Sequence, residues 1–246
     1  MDVEARERFF NARRGWSFGR RLKALDSYGL LLALILLSLI VSALAPSDLH
    51  AYMPVVRAVI LGGTLVFALH TSGAKRVAYV TCGVLILIAI VSTLIVDPGT
   101  KQGDIVDALA GILLVGAMLI VILRRFLAHP VVTGQSVLAA VCVYVLFGLG
   151  YAGIYGLIGG IDPTALFANG IGDGTNVERI YYSFITLCTV GYGDFVPYAN
   201  ITRMIAVTEA LVGQVYLVTI VALLVSHVGH ERPSRGQTGP PEPDQG

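Results

Sequence analysis

Six long apolar runs divide the chain, at Tyr28–Ala45, Pro54–His70, Val77–Val96, Ile105–Leu123, Gln135–Leu157 and Ile201–Val228. Each is close to the ~20 residues that a helix needs to cross a bilayer, so the pattern predicts six membrane-spanning helices. Between the fifth and sixth lies a less apolar stretch, Ile158–Asn200. Within it Thr175 or Asn176 can cap a short helix over Val177–Cys188. Such a helix would end near the membrane centre, with the negative end of its dipole favouring a cation in a central cavity. The glycine-punctuated segment Thr189-Val190-Gly191-Tyr192-Gly193-Asp194 follows. Non-helical backbone at that depth is tolerated only where it is buried in protein or lines water.

Charge sharpens the topology. Only 13% of the 246 residues are charged, 55% are hydrophobic and mean hydropathy is +0.76, whereas soluble domains carry about a quarter charged residues. With the N-terminus in the cytoplasm, Arg6, Arg8, Arg13, Arg14, Arg20, Arg21, Lys23, Lys75, Arg76, Arg124, Arg125, Arg232 and Arg235 all fall inside. Outside fall Lys101, Arg179 and Arg203, with Arg57 inside the second span. This asymmetry is what the positive-inside rule expects, and it places the 189–194 segment at the external face with both termini cytoplasmic. Residues 1–27 interleave arginines with Phe9, Phe10, Trp16 and Phe18, which suits either an interfacial helix on anionic inner-leaflet lipids or a solvated basic tail. The stretch from Glu231 is rich in proline, glycine and charge and is expected to be disordered. Cys82, Cys142 and Cys188 are scattered and offer neither a metal spacing nor a disulfide framework.

Gly191 and Gly193 adopt positive φ cheaply, so alternate residues of 189–194 can take left-handed conformations and turn successive carbonyls to one side. A ring of four such strands would replace the hydration shell of an alkali cation. With Thr186-Leu187-Cys188 before it, the segment closely resembles the selectivity filter of the tetrameric potassium channel family. The resemblance implies an all-α membrane protein of six transmembrane helices, with a re-entrant pore helix and filter between the fifth and sixth. One filter per chain implies a homotetramer. The implied organisation is a basic cytoplasmic segment over 1–27, a four-helix module over 28–123, a linker over 124–134, a pore domain over 135–228 and a tail over 229–246. The implied setting is a plasma membrane, the inner membrane in a bacterium, and the small size suits a prokaryotic member.

The resemblance also assigns residues. Potassium would sit between carbonyls of Thr189, Val190, Gly191 and Tyr192 and the Thr189 hydroxyl. Gly193 and Asp194 would support the filter's outer end, and Tyr192 would wedge against the pore-helix aromatics. Many members carry two tryptophans where this chain has Tyr181-Tyr182, and a Tyr182 hydroxyl is expected to bond Asp194. Cys188 replaces a common threonine or serine at the cavity. Ile185 stands where some members bury a glutamate. Gln214, Leu217, Val221 and Val225 match cavity-facing positions, and Gly213 matches a hinge glycine, with close helix packing as the competing role. Glu209 is an ionisable residue within the sixth span and so a functional candidate. It either tunes gating from behind the filter, with pH as a candidate signal, or is a protonated or hydrogen-bonded structural residue near Thr186 or Ser183.

A voltage sensor needs arginines along the fourth span, and Ile105–Leu123 contains no basic residue. Conventional voltage gating is therefore not expected. Arg124 and Arg125 would serve topology, and Asp107 would pair with Arg57. His227 and His230 at the inner mouth could titrate near neutrality. The chain shows no paired repeats around a midplane site, as a secondary transporter would, and no catalytic constellation of an enzyme. Neither a cofactor, apart from potassium as permeant ion, nor a nucleic-acid partner is expected. The alternatives within the channel class are a weakly selective cation channel and a regulatory subunit that co-assembles with other pore chains.

Overall fold

The computed structural model describes residues 28–44, 52–72, 76–96, 100–127, 134–164, 166–168 and 172–230, without side chains at 77, 93–94, 126–127, 134–135 and 224–230. The basic segment 1–27, most of the expected linker and the tail from 231 lie outside the described residues. Seven helices follow one another: α1 (Tyr28–Leu44), α2 (Met53–Ser72), α3 (Arg76–Ile95), α4 (Lys101–Leu127), α5 (Gly134–Ile161), α6 (Asn176–Leu187) and α7 (Asn200–His230). Among the described residues, α2, α4, α5 and α7 are long and apolar enough to cross a membrane, while α1 and the Ala78–Ser92 part of α3 are shorter apolar helices. At 1.5 Å per residue, α6 spans only about 18 Å and cannot cross.

Contacts between the ends show an up-and-down arrangement. Arg125 near the end of α4 lies 4.6 Å over the Tyr28 ring at the start of α1, so its guanidinium stacks on an aromatic. At the same end, the Tyr216 hydroxyl of α7 donates to Ala140 O near the start of α5 at 2.8 Å. At the opposite end Arg57 of α2 pairs with Asp107 of α4, as the sequence suggests, and Tyr155 of α5 meets Glu209 of α7. One continuous apolar core runs through α1 to α5, with Leu31, Ile35, Leu65, Leu69, Leu114, Met118 and Leu146 almost fully buried.

The most extensive packing is between α4 and α5. A Cβ added at Gly153 would lie 2.8 Å from Ile112, one at Gly160 2.8 Å from Ile105, and one at Gly156 3.4 Å from Ala108. In lipid the hydrophobic effect does not drive helices together, so close van der Waals approach through small residues has to do it. Glycines three and four apart share one helix face and present that flat side to α4.

Candidate functional site

The site is built on α6. Thr175 caps it, accepting from Glu178 N at 3.3 Å, while Glu178 accepts from Thr175 N at 2.6 Å. This reciprocal box selects Thr175 over Asn176 as the cap. Arg179 in the first turn is buried, with its guanidinium against the α5 backbone at Gly156 and Gly159 and 3.8 Å from Asp173. A residue assigned to the external loops by charge counting thus fastens α6 to the end of α5.

The C-terminal end of α6 folds directly into the 189–194 segment. Ile185 O accepts from Val190 N at 2.8 Å and Gly191 N at 3.2 Å, and Thr186 O accepts from Thr189 N at 2.9 Å. The Ile185 and Thr186 carbonyls of the last turn of α6 are therefore engaged by the segment itself. Thr189, Gly191 and Gly193 have φ of 56°, 53° and 82°, with Val190 and Tyr192 between them outside the left-handed region. This is the alternation that turns successive carbonyls to one side. Thr189 carries a left-handed conformation that a β-branched residue rarely adopts, and no other described non-glycine residue has positive φ. Its hydroxyl accepts from Gln214 Nε2 of α7 at 3.1 Å.

Two glycines form sockets for α6. A Cβ at Gly148 would lie 2.7 Å from the Phe184 ring, and one at Gly213 would lie 2.5 Å from Leu187 O. Gly213 thus allows α7 to approach the α6 backbone itself. The Tyr144 hydroxyl lies 3.2 Å from the same carbonyl and 3.5 Å from Cys188 Sγ.

Glu209 is wholly buried between these elements. Its Oε2 accepts from the Tyr155 hydroxyl of α5 at 2.6 Å, and its Oε1 lies 2.5 Å from Ser183 Oγ of α6, which is also 2.7 Å from Gly148 O. Of the two neighbours expected from sequence, Ser183 is the partner. Tyr155 and Gly148 were not singled out in the sequence, since contacts 54 and 35 residues apart leave no trace in periodicity.

At the outer end the tyrosine assignment changes. Tyr181, not Tyr182, donates to Asp194, at 2.8 Å. Tyr182 points to the other side of α6 and is buried against Tyr155 and Phe167, with ring centroids 5.0 and 5.1 Å apart. Its ring partners are therefore in α5 and in the loop before α6. Phe195 completes the collar against Phe167 and Tyr181. Backbone bonds Ala168 N to Val196 O (2.9 Å) and Tyr198 N to Leu166 O (3.1 Å) tie the loop before α6 to the chain after Asp194.

Several expected residues remain open on the single chain. Val190, Gly191, Tyr192, Gly193, Cys188, Gln214, Leu217 and Val221 are exposed, Tyr192 at 72%, and the Val225 and His227 side chains lie outside the described residues. Met204, Val207, Leu211, Val215 and Val218 continue the exposed apolar face of α7. Between α6, the segment and α7 is an open hollow of about 410 Å³, bordered by Tyr182, Ile185, Gly191 and Phe195.

Residues 143–229, which contain all of these groups, match the model of a family described as ion channel. Over 52 residues, 21% of this chain, it is 39% identical to two-pore potassium channel 4 of Arabidopsis thaliana and 33% identical to two-pore potassium channel 3 of the same plant. The chain spans 18% and 12% of the lengths of these relatives. No solved structure shows a significant match.

Proposed function

We propose that this chain is the subunit of a potassium-selective channel that conducts passively through a fourfold pore. The observation that carries the reading is the backbone alternation at Thr189, Gly191 and Gly193. Potassium would be held by carbonyls of Thr189, Val190, Gly191 and Tyr192 and by the Thr189 hydroxyl, in place of its water shell. The names of the Arabidopsis relatives agree with potassium as the ion. Asp194 at the outer mouth would concentrate cations.

A single chain supplies one strand of such a ring, so the active form would be a homotetramer. Its exposed Val190 and Tyr192, the open hollow beside them and the apolar face of α7 are the surfaces that neighbouring copies would cover. All of α1–α5 and α7 would span the membrane, with α6 re-entrant and both termini cytoplasmic in a plasma membrane whose inner leaflet supplies anionic lipid. Opening would not be driven by charge along α4, whose Ile105–Leu123 stretch holds no basic residue.

The test is the purified full chain in liposomes, with potassium and sodium flux measured while voltage is varied. Potassium flux well above sodium flux, with little voltage dependence, is the expected result. Equal fluxes would overturn the selectivity, and steep voltage dependence would overturn the role given to α4.

A further inference from the structure

The contacts around Glu209 count protons. Ser183 Oγ has one hydrogen, yet it sits within bonding distance of two acceptors, Gly148 O at 2.7 Å and Glu209 Oε1 at 2.5 Å. If Glu209 were a carboxylate, one of these short oxygen–oxygen contacts would hold no hydrogen and be repulsive. The Tyr155 hydroxyl already uses its own hydrogen on Oε2. A proton on Oε1 resolves every contact at once. Oε1–H then donates to Ser183 Oγ, Ser183 donates to Gly148 O, and Tyr155 donates to Oε2. The surroundings agree. Glu209 has no exposed surface, and among the described residues the ion pairs join Arg57 to Asp107 and Arg179 to Asp173, leaving no cation on Glu209. The titratable groups facing it are tyrosines, Tyr144 and Tyr155 on α5 and Tyr182 on α6. A buried carboxylate without a cation is costly, whereas a neutral acid with both oxygens bonded is not.

We infer that Glu209 resides in the protein as a neutral carboxylic acid, protonated on Oε1, and acts as a positioning residue that clamps α5, α6 and α7 together behind the 189–194 segment. Ser183 lies two residues before Ile185, whose carbonyl holds the amides of Val190 and Gly191. The clamp therefore fixes the turn from which the alternating backbone starts. Its effect on ion choice rests on the filter reading above, but its protonation does not.

The arrangement makes an unusual demand on substitutions. Glutamine keeps both bonds of the neutral acid, one amide N–H donating to Ser183 and its oxygen accepting from Tyr155, and adds a single further N–H. Leucine keeps the volume and strands both partners. The experiment compares the reconstituted full chain with Glu209→Gln, Glu209→Leu and Ser183→Ala by infrared spectroscopy and by potassium-to-sodium flux ratio. The expected result at neutral pH is a protonated-carboxyl carbonyl band, shifted in Ser183→Ala and absent from Glu209→Gln. Glu209→Gln should keep the flux ratio within about twofold, while Glu209→Leu lowers it about tenfold, the scale of leaving buried polar groups unpaired. If Glu209→Leu does not assemble, the band and the intact Glu209→Gln carry the result. Absence of the band, or a flux ratio lowered about tenfold in Glu209→Gln, would overturn the inference. A retained flux ratio in Glu209→Leu would overturn the positioning role. Equal potassium and sodium flux in the unsubstituted chain would instead strike the proposed function, leaving the band as the test of protonation.

Discussion

Replacing Gly213 by alanine separates two roles that one glycine can play. The added methyl would stand 2.5 Å from Leu187 O and 2.9 Å from Leu187 Cδ1. The side-chain contact can be relieved by a rotamer change, but the carbonyl belongs to the last turn of α6 and is also approached by Tyr144 at 3.2 Å. Relief therefore requires α7 to withdraw from α6 by several tenths of an ångström. Overpacking of this kind costs about 1–3 kcal/mol, against a gain of about 1 kcal/mol from placing alanine in a helix. The net expectation is a loss of about 0–2 kcal/mol. Gly116 on α4 provides the control, since a Cβ there meets nothing within 4 Å, so Gly116→Ala should be neutral or slightly stabilising. The displacement also pulls on Gln214, next in α7, and through it on the Thr189 hydroxyl. Gly213→Ala should thus lower both the thermal midpoint of the detergent-solubilised assembly and its potassium-to-sodium flux ratio in liposomes. A variant matching Gly116→Ala in both measurements would refute the packing argument. A variant with unchanged selectivity but slower opening would assign Gly213 to the hinge.

Other substitutions probe separate parts of the site. Gly191→Ala meets no atom within 4 Å, yet its φ of 53° is left-handed, so it should cost about 1–2 kcal/mol through backbone conformation alone and abolish selectivity; a variant with full potassium preference in the flux assay would contradict this. Tyr181→Phe removes the donor to Asp194 and should loosen the outer end of the segment, measured as faster loss of potassium flux during sustained conduction, whereas Tyr182→Phe should leave that rate unaltered. Arg57→Ala and Asp107→Ala should each destabilise the chain, and the double variant should be less unstable than their sum by about 0.5–3 kcal/mol; strict additivity in thermal unfolding would show the pair to be uncoupled.

The elements most legible in the sequence were those whose signal is local. Apolar runs located the helices, and the glycine spacing at 191 and 193 announced a backbone alternation. The choice of Thr175 as cap was also within reach, because Thr175 and Glu178 have the spacing of a reciprocal box. Thr189 was hidden for a physical reason: propensity argues against a β-branched residue at positive φ, and only the bonds of its N–H to Thr186 O and of its hydroxyl to Gln214 make it clear. Helical phase decided between Tyr181 and Tyr182. One residue is a rotation of about 100°, enough to exchange a bond to Asp194 for burial against Tyr155, and the sequence contains no marker of which face Asp194 would meet. The Glu209 clamp required α5, α6 and α7 to be assembled, since its groups are 26 and 54 residues from Glu209.

The glycine face of α5 also determines where oil can go. With Ile105, Ile112 and Ala108 pressed to the backbone at Gly160, Gly153 and Gly156, no acyl chain fits between α4 and α5. Leu109, Leu113 and Ile120 on the neighbouring flank of α4 are exposed and are the side chains that lipid would meet. A change in bilayer thickness or tension that grips α4 there is delivered to α5 without a compressible layer between them.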